Sequence, residues 1–188
     1  MNDYSPVLKS DKHRVEAVEG ALLGSTIHAV VYRQLVGDQP VEPPHGKCHE
    51  VDLELLLVLN SGVIGIMPVQ AGRTWGMAVR LLTVLDVSDD EGAVAVDGLP
   101  EWEPVVGKKI SSVRLGWHRS MQGAPESLMS ITLAFGNGLD VIAAMGSLDQ
   151  EGLPQYDPDA LLVVFEAGDR VPTAADATLP VDLAAREA

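Results

Sequence analysis

Residues 129–139 read Met-Ser-Ile-Thr-Leu-Ala-Phe-Gly-Asn-Gly-Leu, so large apolar side chains alternate with small or polar ones up to a glycine-rich turn. Alternation with a period of two is typical of a strand that buries one face. The Gly-Asn-Gly turn tolerates the positive φ angles of tight hairpins. The run therefore predicts a β-hairpin.

The same design occurs earlier in the chain, at residues 53–66, with the turn Asn-Ser-Gly. When Gly62 is aligned with Gly138, four aligned positions before the turn are apolar in both segments. The pattern apolar-apolar-Gly-x-x-Ile-x-x-Val occurs at residues 22–30 and again at 105–113. A third match closes each copy, since residues 79–85 resemble residues 160–165. Three matches in the same order predict a tandem duplication. An insertion near Gly37 to His49 lengthens the first copy.

Each copy is predicted to hold four consecutive antiparallel strands. The fold class is mainly β, with α+β as an alternative, and the two units form a sandwich or a barrel with pseudo-twofold symmetry. Residues Lys12 to Leu23 predict a helix. The predicted strands are 27–35, 52–60, 63–69 and 79–86, then 110–118, 128–135, 139–145 and 160–166. The predicted segments are 1–20 (N-terminal), 21–86 (repeat 1), 87–103 (acidic linker), 104–171 (repeat 2) and 172–188 (acidic tail, predicted mobile).

Charge and cysteine content limit the classes of partner and compartment that suit this protein. The chain has 27 acidic and 13 basic residues, a net charge of −14, which disfavours nucleic acid and anionic membranes and favours a basic protein partner. Cys48 is the single cysteine, so no internal disulfide forms, and we expect a cytoplasmic protein. Scarce lysine beside abundant Ala, Val, Gly and Asp suggests a bacterial source.

One short segment carries metal-ligand chemistry. His45, Cys48 and His49 lie within five residues and suit zinc. A structural zinc site usually needs four protein ligands, and no second CxxC or HxxxH pair is present. Neighbouring residues on a strand point to opposite faces, so Cys48 and His49 are poorly placed as nucleophile and base. We expect a polar loop, without metal or cofactor.

Two groups of residues are candidates for contacts with a partner. Tryptophan beside arginine is typical of interface hot spots, and acidic side chains around an aromatic suit a basic surface. The carboxylates of Glu101 and Glu103 also suit sugar chemistry, and the cluster after Asp86 loosely suits calcium, but solvated charge is the expectation for both. The candidate residues are Arg73, Trp75, Asp89, Asp90, Glu91, Glu101, Trp102 and Glu103.

No phosphate-binding loop or nucleophile elbow is present, so we expect a non-enzymatic binding protein. In size, acidity and glycine-turned hairpins, the chain resembles the immunity proteins of bacterial toxin systems, which implies an inhibitor docking on a basic partner. One alternative is an assembly subunit or homodimer, because Leu56 and Val58 are apolar on an outward face. Another is an enzyme or small-molecule binder between the repeats, where four residues would converge: His28, Cys48, His49 and His118.

Overall fold

The computed structural model describes residues 4–35, 46–82 and 92–167. Within these ranges the chain is mainly β, as predicted. In chain order the elements are α1 (Lys12–Leu22), β1 (Ile27–Arg33), β2 (Cys48–Val51), β3 (Glu54–Leu59), β4 (Gly62–Ala71), β5 (Thr74–Leu82), β6 (Ala93–Ala95), β7 (Ile110–His118), β8 (Ser127–Phe135), β9 (Leu139–Met145), β10 (Ser147–Leu148), β11 (Pro154–Gln155) and β12 (Leu161–Ala167).

Two five-stranded antiparallel sheets form a sandwich rather than a closed barrel. The first sheet has the order β5-β4-β3-β1-β6, and the second has the order β2-β12-β9-β8-β7. Strands β10 and β11 form a separate two-stranded ribbon. Strand β7 begins and ends where the sequence predicted, and so does β9. The inner faces of both sheets contribute to one shared hydrophobic core.

The two sheets share a meander of four strands in the same order, β1-β3-β4-β5 in one and β7-β8-β9-β12 in the other. Their first strands meet through reciprocal hydrogen bonds: Gly24 N–H donates to the Ile110 carbonyl (3.0 Å) and Gly107 N–H to the Ile27 carbonyl (2.7 Å). Both glycines have positive φ, +79° and +76°, which glycine adopts without strain. This arrangement is locally pseudo-twofold, whereas the duplication itself stays a prediction.

Each sheet gains its fifth strand from outside its own meander. Strand β6, from the predicted acidic linker, pairs with β1. Strand β2 begins at the end of the predicted insertion of repeat 1 but pairs with β12 of the second sheet. Because the first half supplies a strand to the second sheet, the predicted repeats interlock.

Helix α1 agrees with the predicted helix. The Asp11 side chain caps its first turn by accepting a hydrogen bond from Arg14 N–H (3.2 Å), as an N-cap carboxylate does. Val18 and Leu22 are buried in the core. No helix in the described part of the chain is long and apolar enough to cross a membrane.

Candidate acidic binding cleft

Trp102 lies in the core and not at the surface. Its side chain is fully buried, and its ring packs at right angles to that of Phe165, with centroids 5.0 Å apart. The prediction that Trp102 contacts a partner is wrong for this side chain, because no part of it reaches solvent. Trp102 lies in a turn that directs its side chain into the core, while Glu101 is half-buried and Glu103 is exposed.

The buried indole begins a chain of hydrogen bonds. Trp102 Nε1–H donates to the Tyr32 hydroxyl oxygen (2.8 Å), and that hydroxyl lies 2.9 Å from His49 Nδ1. Burial raises the pKa of the Tyr32 phenol far above its ordinary value, despite the opposing effect of the hydrogen bond from Trp102. The phenol therefore keeps its proton, and its oxygen shares a hydrogen bond with His49 Nδ1.

The far side of this imidazole faces a carboxylate at the protein surface. His49 Nε2 lies 3.8 Å from Glu101 Oε2, and the imidazole is fully buried while the carboxylate is 19% exposed. His49 Nε2 therefore faces Glu101 from the core side of this carboxylate. The network connects the core to a single carboxylate, Glu101, at the mouth of a cleft.

The cleft is a surface cavity of about 300 Å³ where β9 begins and β12 ends. Its walls are largely apolar, and three carboxylates and one ammonium group surround them, a formal charge of −3 + 1 = −2. Apolar walls with a few charged groups are typical of binding sites. The lining residues are Lys47, Pro100, Glu101, Pro104, Val105, Leu139, Asp140, Phe165 and Glu166.

Two of the carboxylates are direct cross-strand neighbours. Asp140 on β9 pairs with Glu166 on β12, and like charges directly opposite on antiparallel strands are destabilising. Asp140 also forms an ion pair with Arg114 (3.1 Å), whose side chain is 38% exposed. An additional cation in the cleft would therefore relieve repulsion between Asp140 and Glu166.

The first sheet holds an equivalent cavity without these charges. It measures about 180 Å³ and is lined by Ala21, Ser61, Gly62, Val63, Ile64, Leu81 and Leu82. The second residue of β4, Val63, pairs with Leu82, just as the second residue of β9, Asp140, pairs with Glu166. The same position in the meander thus has an apolar pair in one sheet and a carboxylate pair in the other, so backbone geometry does not account for the charge.

The predicted metal-ligand segment does not form a cluster in the described residues. Cys48 is half-buried while His49 is fully buried, because they alternate on β2. Burial, and secondarily the Glu166 carboxylate, raise the pKa of the Cys48 thiol. His45 lies outside the described residues, and no group of three possible ligands occurs among those that are described.

The predicted convergence of histidines with Cys48 is wrong. His28 is exposed on β1, and His49 is buried behind Glu101. His118 is half-buried at the end of β7, where burial lowers its pKa although Glu126 acts in the opposite direction. These three histidines lie on three different strands of two sheets.

The other predicted partner residues that the structure describes, Arg73, Trp75 and Glu103, do not line the cleft. Trp75 was expected in a loop but lies half-buried in β5. Its backbone N–H donates a hydrogen bond to Ser120 Oγ (3.2 Å). Arg73 is exposed in the turn before β5, with Nε 3.3 Å from the sulfur of Met121. Glu103 is exposed and does not line the cleft. Asp89, Asp90 and Glu91 lie outside the described residues.

Among the predicted candidates in the described ranges, Glu101 is the one that lines the cleft. Sequence reasoning missed Lys47, Asp140 and Glu166. A signal was present, since Asp140 and Glu166 each interrupt an otherwise apolar strand. Their pairing depends on the register between β9 and β12, which the sequence does not specify.

Comparison with known proteins gives no match: no family model, no curated protein and no solved structure matches the chain. The resemblance to immunity proteins accordingly stays a prediction.

Proposed function

We propose that this protein is a non-enzymatic binding protein whose acidic cleft takes a basic segment of a protein partner. The observation that carries the proposal is the Asp140–Glu166 pair at the mouth of an apolar cavity. A carboxylate pair has an electrostatic cost in the free protein, and a cationic partner removes that cost.

The shape and chemistry of the cleft suit a lysine or arginine side chain. Such side chains have an apolar stem and a charged head, and the cleft has apolar walls at Pro100, Leu139 and Phe165 with carboxylates around them. A guanidinium over an aromatic face gains a further cation–π attraction. Glu101, which lies beside the His49 imidazole, adds a third carboxylate to the lining of the cleft.

The overall charge of −14 supports this proposal by a second route. A negative field attracts a basic protein over a distance and raises the rate of encounter. An immunity-type inhibitor that blocks the basic active site of a toxin is one such protein, and we keep it as the more specific form of the proposal.

A second candidate is a small-molecule binder or enzyme that uses the same cleft. The chain from Trp102 through Tyr32 and His49 to Glu101 favours it, because an oriented imidazole behind a carboxylate also occurs where a carboxylate moves protons. A small cationic ligand would then occupy the cavity. The third candidate, a subunit of a larger assembly, predicts self-association instead of capture of a basic protein.

The test is a pull-down from native lysate at low and high salt with three proteins: wild type, Glu166→Gln and Glu103→Gln. Both variants remove one negative charge, but only the first alters the cleft. We expect one basic protein to be retained by wild type and Glu103→Gln at low salt, and to be lost with Glu166→Gln or at high salt. Retention by Glu166→Gln as strong as by wild type would overturn the proposal.

A further inference from the structure

The outer edge of β1 is covered by an added strand. Strand β6 pairs with residues 31–33 of β1, and hydrogen bonds extend the pairing on both sides. Val96 N–H donates to the Val30 carbonyl (2.9 Å), and Gln34 N–H donates to the Gly92 carbonyl (2.9 Å). Val30 and Tyr32, which point inward beside β6, are fully buried.

The equivalent strand of the second sheet, β7, is an edge strand: in the described residues no further strand lies beyond it. Strands β1 and β7 each have a β-bulge directly after their first residue. When the two strands are aligned at this bulge, Val30 of β1 corresponds to Val113 of β7, and Tyr32 corresponds to Leu115. Past Ile110, which bonds to residues 24 and 25, no described residue pairs with β7 on the side away from β8. Val113 and Leu115 are half-exposed where their counterparts are buried.

This edge also differs in charge from the rest of the chain. Residues 104–125 contain four basic residues and no acidic one, so the rest of the chain has a net charge of −14 − 4 = −18. Lys108, Lys109 and Arg119, which flank β7, are exposed. The open backbone therefore lies between basic side chains.

We propose that the β7 edge is a strand-addition site that takes an extended segment of a protein partner, with small apolar residues at its centre and acidic residues on both sides. Unpaired N–H and C=O groups on an edge strand form a template for a further strand. An apolar side chain opposite Leu115 would cover it as Val94 covers Tyr32 in the first sheet. The acidic flanks are attracted by Lys108, Lys109 and Arg119. This site is separate from the acidic cleft and does not depend on its function.

A suitable probe is a synthetic peptide with the sequence of residues 90–98, Asp-Glu-Gly-Ala-Val-Ala-Val-Asp-Gly. It contains the residues of β6 between acidic flanks. In the full chain, we measure hydrogen exchange of the backbone amides and compare the rates at Val113 and Leu115 with those at Val30 and Tyr32. We expect the first two amides to exchange at least tenfold faster than the second two in the free protein, and to slow at least tenfold with saturating peptide.

Two controls separate strand addition from non-specific attraction. A scrambled peptide of the same composition, with glycines breaking up the apolar run, should bind at least tenfold more weakly. The double variant Lys108→Glu/Lys109→Glu should lose at least tenfold in peptide affinity, while Lys9→Glu/Lys12→Glu, which reverses two exposed charges elsewhere, should lose much less. Slow exchange of Val113 and Leu115 in the free chain would show that the protein covers this edge itself and would overturn the proposal. Equal binding of the scrambled peptide would overturn it as well.

Discussion

Replacing Glu54 with glutamine tests the buried ion cluster on the outer face of the first sheet. Glu54 is 2% exposed, and its carboxylate accepts hydrogen bonds from Arg80 Nε (2.9 Å) and Nη2 (2.6 and 2.7 Å) and from Arg33 Nη1 (2.8 Å). Glutamine keeps the shape but loses the charge and turns an NH₂ group towards a guanidinium. The Arg80 side chain, 7% exposed, then faces an amide in place of a carboxylate.

Removing one partner of a buried ion pair lowers the free energy of unfolding by about 3–5 kcal/mol, because the other charge is left buried without its counter-charge. In a domain of this size about 1 kcal/mol corresponds to roughly 2–4 °C in Tm, so Glu54→Gln should lower Tm by about 6–20 °C. The assay is urea and thermal unfolding followed by circular dichroism. The matched control is Glu126→Gln, whose ion pair with Lys9 is 36% and 47% exposed and should contribute less than about 1 kcal/mol. A loss of less than about 1 kcal/mol for Glu54→Gln would refute this account of the cluster.

Three further predictions concern the core, a tight contact and the thiol. Trp102→Phe should lower the free energy of unfolding by about 2 kcal/mol, because it removes the hydrogen bond to Tyr32 and leaves a cavity; urea unfolding measures this. Gly146→Ala should cost about 1–3 kcal/mol, since its Cβ would lie 2.5 Å from a backbone carbonyl oxygen in a packed region; thermal unfolding measures this. Cys48 should be alkylated more slowly than a free cysteine at neutral pH, because its raised pKa leaves less thiolate; Glu166→Gln should lower that pKa and speed the reaction.

Each of these predictions has a control. Gly136→Ala places a Cβ with no neighbour within 4 Å and should change stability much less than Gly146→Ala. Glu103→Gln should leave the alkylation rate of Cys48 unchanged, because burial and the Glu166 carboxylate are what raise the pKa of the thiol. A cost below about 0.5 kcal/mol for Trp102→Phe would contradict the buried hydrogen-bond chain.

The sequence predicts strands β7, β8, β9 and β12 closely, because alternation is regular in this half of the chain and its hairpin turn contains glycine. Strand β5 was placed too late in the chain, at 79–86 instead of Thr74–Leu82, because Gly72 and Gly76 suggested a loop. Gly76 in fact lies within the strand, where a Cβ would come within 2.8 Å of the Ser127 side chain. Glycine here allows close packing and does not mark a turn.

The candidate site is less visible in the sequence for a physical reason. Its members come from the residue before β2, the turns after β6, and strands β9 and β12, and they meet only through tertiary contacts. The acidic linker drew attention to Glu101, but Trp102 was misplaced, because local charge does not determine which residue of a turn points inward. Strand β2 has only four residues, and no local pattern indicates that it joins the opposite sheet.

The most direct test of the acidic cleft is a calorimetric titration with a hexa-arginine peptide at low and high salt. The double variant Asp140→Asn/Glu166→Gln is compared with Glu103→Gln/Glu126→Gln, which removes the same charge outside the cleft. We predict that the cleft variant binds at least tenfold more weakly than wild type, about 1.4 kcal/mol, that the control changes much less, and that high salt weakens wild-type binding. Equal weakening of both variants would show that only net charge attracts the peptide, and would contradict the assignment of the cleft as the binding site.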